Sequence, residues 1–439
     1  MQSEKNIVVI GGGFAGTALA KSIVKKLPAG YRLVMVSEDS YTTFNPMLAE
    51  AVGASIFPAQ VVAPLREVLR LDDPKMRSRF VMGQVAAVDL ESRFLIVNSL
   101  SGETKIGFEH LVFAFGNRAR TDIIPGMAEF ALPLKTVGDA IHIRNIVLRR
   151  LARIELETDP IVRKRLGHFV VIGGGFSGSE VAGELMDCLR SIISFYPGVK
   201  ASEIGVSIIQ NIGRLLPELP EMLAQKAHQS LAKRGVQIHL NVGAASVNEN
   251  GIVLNNGVMM DAGTVISTIG TRPNALAQLL ADESGIKLER GRIVTNPDMS
   301  LPDHRNLWAV GDCALTLNAH DNQPAPPTAQ FASQEGKCVA ANIIASILGK
   351  QGMPLNYQSR GMMATLGHMR GVALVFGIPV SGLPAWLIWR AYYLMLMPTL
   401  GRKVRIYVEW TWGMFFRTDI THLRFTRSEE QVDFPQKKQ

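Results

Sequence analysis

Two glycine-rich loops hold the most explicit chemistry in the chain. Gly11, Gly12, Gly13, Phe14, Ala15 and Gly16 follow the apolar run IVVI, and FVVIGGGFSG at 169–178 repeats the unit with Gly173, Gly175 and Gly178 in the same three places. Each place has a steric reason. The first glycine turns the chain, the second lets a pyrophosphate reach the backbone, and the third lets helix pack on strand. The N–H groups that open the helix then face the phosphates. Two copies in one chain predict two dinucleotide sites, and the natural pair is a flavin and a nicotinamide set face to face.

Polar residues fall where a dinucleotide needs them. RLVMVSE at 32–38 reads as the second strand of the first unit, and an acid at its end accepts hydrogen bonds from a ribose diol. Glu38 is that acid; if the strand stops one residue earlier, Ser37 makes a weaker contact instead. Asn45 and Pro46 come just after this strand, either against the flavin ring or in a plain connecting turn. In LWAVGDCAL, Gly311 and Asp312 follow a buried strand, a position that suits a hydrogen bond to a ribityl chain and equally a helix N-cap. Past PAPPT, a helix carrying Ala329 sets Gln330 and Gln334 on one face, where amides meet flavin or quinone carbonyls or simply face solvent.

In the second unit Glu180 lies just after the loop, and Glu184 shares its helix face. An acid there is either a favourable N-terminal helix residue or a group beside the nicotinamide. The strand IGVSIIQ ends at Gln210, where an acid would hold a ribose hydroxyl and repel a 2′-phosphate. A neutral amide removes that repulsion and leaves NADPH open as a donor beside NADH.

The elements that position these residues alternate strand and helix. Gly116 closes the apolar run Leu111–Phe115, and Gly270 closes TVISTIG, a matching pair of strands that return to their sheets. This pattern predicts an α/β fold of two Rossmann-like dinucleotide-binding domains, the second inserted in the first, with a C-terminal membrane-associating helical region. The divisions fall at 1–129, 130–272, 273–370 and 371–439, with 126–133 a linker by composition.

With 439 residues, 47% hydrophobic and 19% charged, the chain fills two or three cores and is not of disordered type. A net charge of +8 and pI near 9.4 ask for an anionic partner. Nucleic acid is set aside, because no basic stripe interleaved with aromatics occurs before the last stretch. Cys188, Cys313 and Cys338 form neither a CxxC pair nor a metal-ligand set, which fits a reducing compartment, and no cysteine pair stands beside the first loop. MQSEKN leads straight into the first strand without an export-signal pattern.

From Gly371 the composition shifts. Trp386, Trp389, Trp410 and Trp412 gather beside Arg390, Arg402, Lys403, Arg405 and Arg417, a mixture suited to the headgroup level of an anionic bilayer. Arg390 breaks the best helix short of the ~20 apolar residues that span a membrane. Helices lying in one leaflet are expected, with a dimer interface and a spanning segment as the alternatives.

Taken jointly, the two loops, WAVGDCA, PPTAQFASQEG, TLGHMRGVALVFG and AWLIWRAYYL resemble the type II NADH:quinone oxidoreductases over nearly the whole chain. The resemblance implies FAD in the first domain, NAD(P)H in the second, and a quinone arriving from the membrane. It further implies a peripheral homodimer on the cytoplasmic face of the cell membrane. The family's flavin contacts fall on Gly11, Gly13, Gly16, Asp312, Ala329 and Gln330, its helix glutamate on Glu180, and its quinone-side glutamine on Gln334 or Gln330. His368 stands where many members have a basic residue. Ser37 and Gln210 depart from positions where acids are usual. Two rival readings are a sulfide:quinone oxidoreductase, which needs a cysteine pair beside the flavin, and a flavin-bearing redox sensor.

Overall fold

Two parallel sheets are built from the apolar runs around the glycine loops. A computed structural model describes residues 4–416 and 418–422; Arg417 and residues 423–439, part of the expected C-terminal region, lie outside the described residues. In the first sheet Lys5–Ile10 lies between Tyr31–Ser37 and His110–Phe113, with Ser78–Asp89 and His304–Ala309 as the next neighbours, all parallel. These strands read as continuous Val, Ile and Leu because both faces are covered, one by the helices Phe14–Ile23 and Ala329–Ile347 and the other mainly by an antiparallel ribbon. Ser78–Asp89 runs on into an antiparallel ribbon with Phe94–Ser99 and Gly102–Gly107.

The second sheet orders Ala131–Pro133, Thr264–Ser267, His168–Ile172, Gly205–Gln210 and Val236–Leu240, again all parallel. The chain leaves the first sheet and returns to it side by side, since Asn117–Ala119 pairs antiparallel with Thr271–Pro273. The stretch read as a linker carries structure: the helix Met127–Phe130 and the strand Ala131–Pro133. Ile124 and Met127 pack with Val170, Ile172 and Ile209, so this segment belongs to the core of the second sheet.

The C-terminal region departs further from expectation. Gly361–Thr365, Gly371–Val375 and Ile378–Ser381 form an antiparallel meander, so the compositional shift at Gly371 falls inside one small sheet. Two helices follow, Leu383–Leu396 and Leu400–Phe415. Trp386, Trp389 and Trp410 are buried, Trp389 and Trp410 in a core shared with the helices Leu48–Val52 and Phe176–Ile192, and the Arg390 side chain is only 11% exposed. The expected aromatic belt therefore narrows to the outward face of the last helix, where Leu400, Val404, Tyr407, Val408, Trp412 and Phe415 are exposed. Among the described residues no helix is long and apolar enough to cross a membrane.

Candidate functional site

A cavity of about 1340 Å³ runs from the first glycine loop to the second domain. That exceeds the ~1,000 Å³ upper range of ordinary small-molecule sites, leaving room for a dinucleotide and a second ring. One end is walled by Gly11, Gly12, Gly13, Phe14 and Ala15, with Ser37 and Glu38 beside them. Asn45, Pro46, Gly116, Gly311 and Asp312 line its length, and Ala329, Gln330, Tyr393, Phe176 and Glu180 line the rest.

The loop is built for an anion. Gly11 has φ +112, and a Cβ there would sit 2.3 Å from the Ala114 carbonyl oxygen. A Cβ on Gly16 would lie 2.0 Å from the Gly11 oxygen, so helix and turn close only on glycine. The helices Val137–Leu156, Pro160–Leu166 and Ala329–Ile347 begin on side-chain caps from Thr136, Asp159 and Thr328. Phe14–Ile23 and Phe176–Ile192 begin on Gly13 and Gly175 with no side-chain cap and no acid in the first turn. Their opening N–H groups are left for a ligand with negative charge, which fits the pyrophosphate of a dinucleotide. Gly16→Val is therefore expected to yield protein without flavin absorbance, and Gly178→Val to keep the flavin while losing reduction by NADH. Visible spectra of the two purified variants check this.

The strand Tyr31–Ser37 is the shorter of the two alternatives, yet Glu38 lines the cavity together with Ser37, and its carboxylate accepts from Arg118 Nη2 at 2.5 and 2.6 Å. A ribose diol must share that carboxylate with Arg118. Lys135 also lines the cavity and donates to Asn117 Oδ1 at 2.6 Å, while burial lowers its pKa against the pull of Asp312. Arg118 and Lys135 escaped the sequence reading because an isolated cation carries no local signal. Gly311 N–H donates to Glu335, a buried carboxyl pushed up to about 7 by burial. That bond holds the turn on which Asp312 is presented.

Gln330 is pinned: its Nε2 donates to the Gly361 carbonyl at 3.1 Å and its Oε1 accepts from Tyr357 Oη at 3.2 Å. Among the described residues no other partner takes the second Nε2 proton, and the residue lines the cavity. Gln334, one turn on, is not among the lining residues of that cavity. His368 does not line that cavity either. It lines a separate cavity, its ring packs edge-on against Trp386 at 6.0 Å, and its backbone N–H is bound by Asp187 Oδ2 at 2.6 Å. It sits on the turn between Gly361–Thr365 and Gly371–Val375, a placement that sequence spacing does not encode.

The second glycine loop follows His168–Ile172, the central strand of its sheet; its Phe176 and Ser177 line the large cavity, while Gly173, Gly175 and Gly178 lie outside both cavities. A Cβ on Gly178 would stand 1.8 Å from the Gly173 oxygen, the same closure as in the first loop. Gln210 turns inward: its Oε1 accepts from Gly174 N–H at 3.0 Å and its Nε2 donates to the Arg214 carbonyl at 3.4 Å. In this structure the amide braces the turn. Gly270, with φ +73, makes the bend after Thr264–Ser267, and its carbonyl accepts from Arg120 N–H at 3.3 Å.

Three carboxyls, Glu50, Glu180 and Glu184, are buried between the domains and the C-terminal helices. Glu180 Oε1 accepts from Thr365 N–H at 3.2 Å. Burial first, then the charges of Glu50 and Glu184, hold its pKa well above the ordinary carboxylate range. Burial pushes Glu184 up to about 8, and the charge of Glu50 adds to it. The sequence marked Glu180 and Glu184 as one helix face, whereas Glu50 joins them only through the fold.

The raised Glu184 has a consequence for stability. Its folded value near 8 stands above the ordinary 4.5, so the folded state holds this proton more tightly than the unfolded chain. The associated stability is fully present below pH 4.5 and lost as pH rises to about 8. Glu184→Gln, neutral throughout, should gain stability relative to the parent across that window and then level off. Urea unfolding at several pH values checks this.

A family model described as pyridine nucleotide-disulphide oxidoreductase matches residues 5–336 of the 439. The chain belongs to this family. In this family member Cys188, Cys313 and Cys338 are all free thiols, and none lines the large cavity. Among curated relatives it is similar to the type II NADH:quinone oxidoreductase Ndh of Mycobacterium tuberculosis, 28% identical over 415 residues, 92% of this chain and 87% of that one. The type II NADH:quinone oxidoreductase of Staphylococcus aureus is 28% identical over 389 residues, 87% of this chain and 92% of that one. Among solved structures, NDH2 from Plasmodium falciparum in complex with NADH aligns with TM-score 0.87 at 17% identity, covering 95% of this chain and all of that one. The sulfide:quinone oxidoreductase of Aquifex aeolicus aligns with TM-score 0.68 at 16% identity, covering 94% of this chain and 95% of that one.

Proposed function

We propose that this family member is an FAD-dependent NADH:quinone oxidoreductase of the type II kind. One observation carries the reading: the first glycine loop, Asp312 and Gln330 share a single cavity with Glu180 of the second domain, and no cysteine lines it. FAD, when bound there, supplies a ring that takes hydride from NADH and gives two electrons to quinone. The chain's residues supply position and protons. The loop from Gly11 to Gly16 and the open helix end behind it would hold the pyrophosphate, Glu38 the adenosine ribose, and Asp312 the polyol. NADH would lie on the second loop, with Gly173, Gly175 and Gly178 giving its phosphates the same approach.

Gln330 would donate its remaining amide proton to a quinone carbonyl, and Glu180 would hold a proton for the quinol oxygens. Holding the two substrates in alignment accounts for several kcal/mol of barrier lowering, of the ~7–11 kcal/mol that well-oriented reactions reach. The sulfide:quinone reading loses its basis with no cysteine at the cavity.

The same reading extends to the membrane. The exposed stripe from Leu400 to Phe415, with Arg405 on its flank, supports a peripheral seat on an anionic bilayer, on the cytoplasmic side where NADH is available. If two copies form a homodimer, that stripe is also available to pair them, and mass in detergent tests this. Flotation with anionic vesicles, weakened by Val404→Glu with Phe415→Glu, tests the seat.

Steady-state assays test the function. Oxidation of NADH with a short-chain ubiquinone or a menaquinone analogue is expected, and the NADH to NADPH ratio reads the effect of Gln210. Turnover with sulfide and with neither nucleotide would overturn the reaction, and no turnover with any donor would favour a redox sensor.

A further inference from the structure

Quinone reduction by NADH consumes a proton from water. NADH loses one C–H bond as hydride and becomes NAD⁺, while the quinone gains two electrons and two O–H bonds. One of those protons travels with the hydride and the other must come from solvent. Glu180 lies at a buried cavity wall, so that proton needs a way in.

A second cavity of about 680 Å³ lies further along the same helix, lined by Ser55, Asp187, His368, Arg370 and Trp412 among others. Trp412, His368 and Arg370 are exposed, so the cavity opens to solvent. Glu180, Glu184 and Asp187 occupy one face of Phe176–Ile192 at spacings of four and three residues. The first lines the large cavity and the last lines the second. Glu184 stands between, and its Oε2 accepts from Ser55 Oγ at 2.5 Å. Gly53 permits that contact, since a Cβ there would come 2.8 Å from Glu184 Cβ. Among the described residues neither Glu180 nor Glu184 has an ion-pair partner, whereas Glu50 beside them is held by Arg390 at 3.4 Å. A carboxyl kept neutral by burial both donates and accepts hydrogen bonds, which is what a proton hop requires.

We propose that Glu184 is the positioning residue of a proton-uptake route running from the second cavity through Ser55 and Glu184 to Glu180. The route rests on the reading of the chain as a quinone reductase. The groups facing Glu184 are Glu180 and Asp187 on its own helix, Glu50 and Ser55 from the preceding segment, Arg390 from the first C-terminal helix, and the Cys188 thiol.

The test uses full-length, flavin-loaded protein carrying Glu184→Gln, Glu184→Asp or Ser55→Ala. Bleaching by NADH, which needs no proton from solvent, reports that each variant folds and binds both nucleotides. In Glu184→Gln, reoxidation by a short-chain ubiquinone is expected to slow by about tenfold or more. The slowing should deepen with rising pH, carry a larger solvent isotope effect, and be partly relieved in Glu184→Asp. Infrared difference spectra should lose a protonated-carboxyl band in Glu184→Gln independently of turnover. Reoxidation within about twofold of the parent at every pH overturns the route. So does a slowing that is independent of pH and isotope and that Asp does not relieve. Parent protein that NADH bleaches and quinone does not reoxidise overturns the proposed function, and the route falls with it.

Discussion

Replacing Glu180 by Gln is expected to lower NADH:quinone turnover by about 100-fold, within the ~10²–10⁴ range of a positioned general acid. The carboxyl lines the large cavity, is buried, and is biased toward its protonated form by that burial and by its acidic neighbours. Gln keeps the size and the carbonyl that accepts from Thr365 N–H, so packing is conserved while the transferable proton is lost. Bleaching of the flavin by NADH should continue in the variant. Because burial and its acidic neighbours raise the folded pKa, Glu180 keeps its proton to higher pH than an ordinary carboxyl and releases it as pH climbs through the raised value. The parent rate should accordingly fall on the alkaline side, and the Gln variant should lack that limb. Stopped-flow traces of the two half-reactions against pH separate these effects, and unchanged turnover would remove Glu180 from the mechanism.

Arg390→Ala is expected to destabilise the fold by about 3–5 kcal/mol, the cost of leaving one member of a buried ion pair alone. Arg390 Nη2 meets Glu50 Oε1 at 3.4 Å, and its guanidinium lies 3.6 Å above the Trp386 ring and 4.8 Å from Trp410. Removing it leaves Glu50 with only the Trp410 indole N–H at 3.0 Å, among other carboxyls. It also removes the stem around which the tryptophans pack. Burial already raises the pKa of Glu50 above its ordinary 4.5 against the pull of Arg390. Without the cation it rises further, so the deficit should shrink as pH falls toward 4.5 and Glu50 is protonated in both states. Denaturant unfolding of the variant and parent measures this.

The glycine loops, Asp312, Gln330 and Glu180 were legible because their demands are local. A turn with φ +112, a helix end without a cap, and a buried strand with one polar residue at its tip each leave a mark a few residues wide. Arg390 shows the opposite case. Its partner Glu50 lies 340 positions away, and nothing in AWLIWRAYYL distinguishes a buried guanidinium from one at a lipid headgroup. Trp386, Trp389 and Trp410 were read as interfacial for the same reason, since an aromatic face carries no sign of what covers it. His368 is matched to the quinone only by the family resemblance, and the turn of the meander places it at the other cavity.

The most direct test of the central claim mixes anaerobic, flavin-loaded protein first with NADH and then with a short-chain quinone in one preparation. The expected result is rapid bleaching of the flavin by NADH and return of its colour with quinone, with one quinol formed per NADH. Colour that NADH fails to bleach, or that quinone fails to restore, would contradict it.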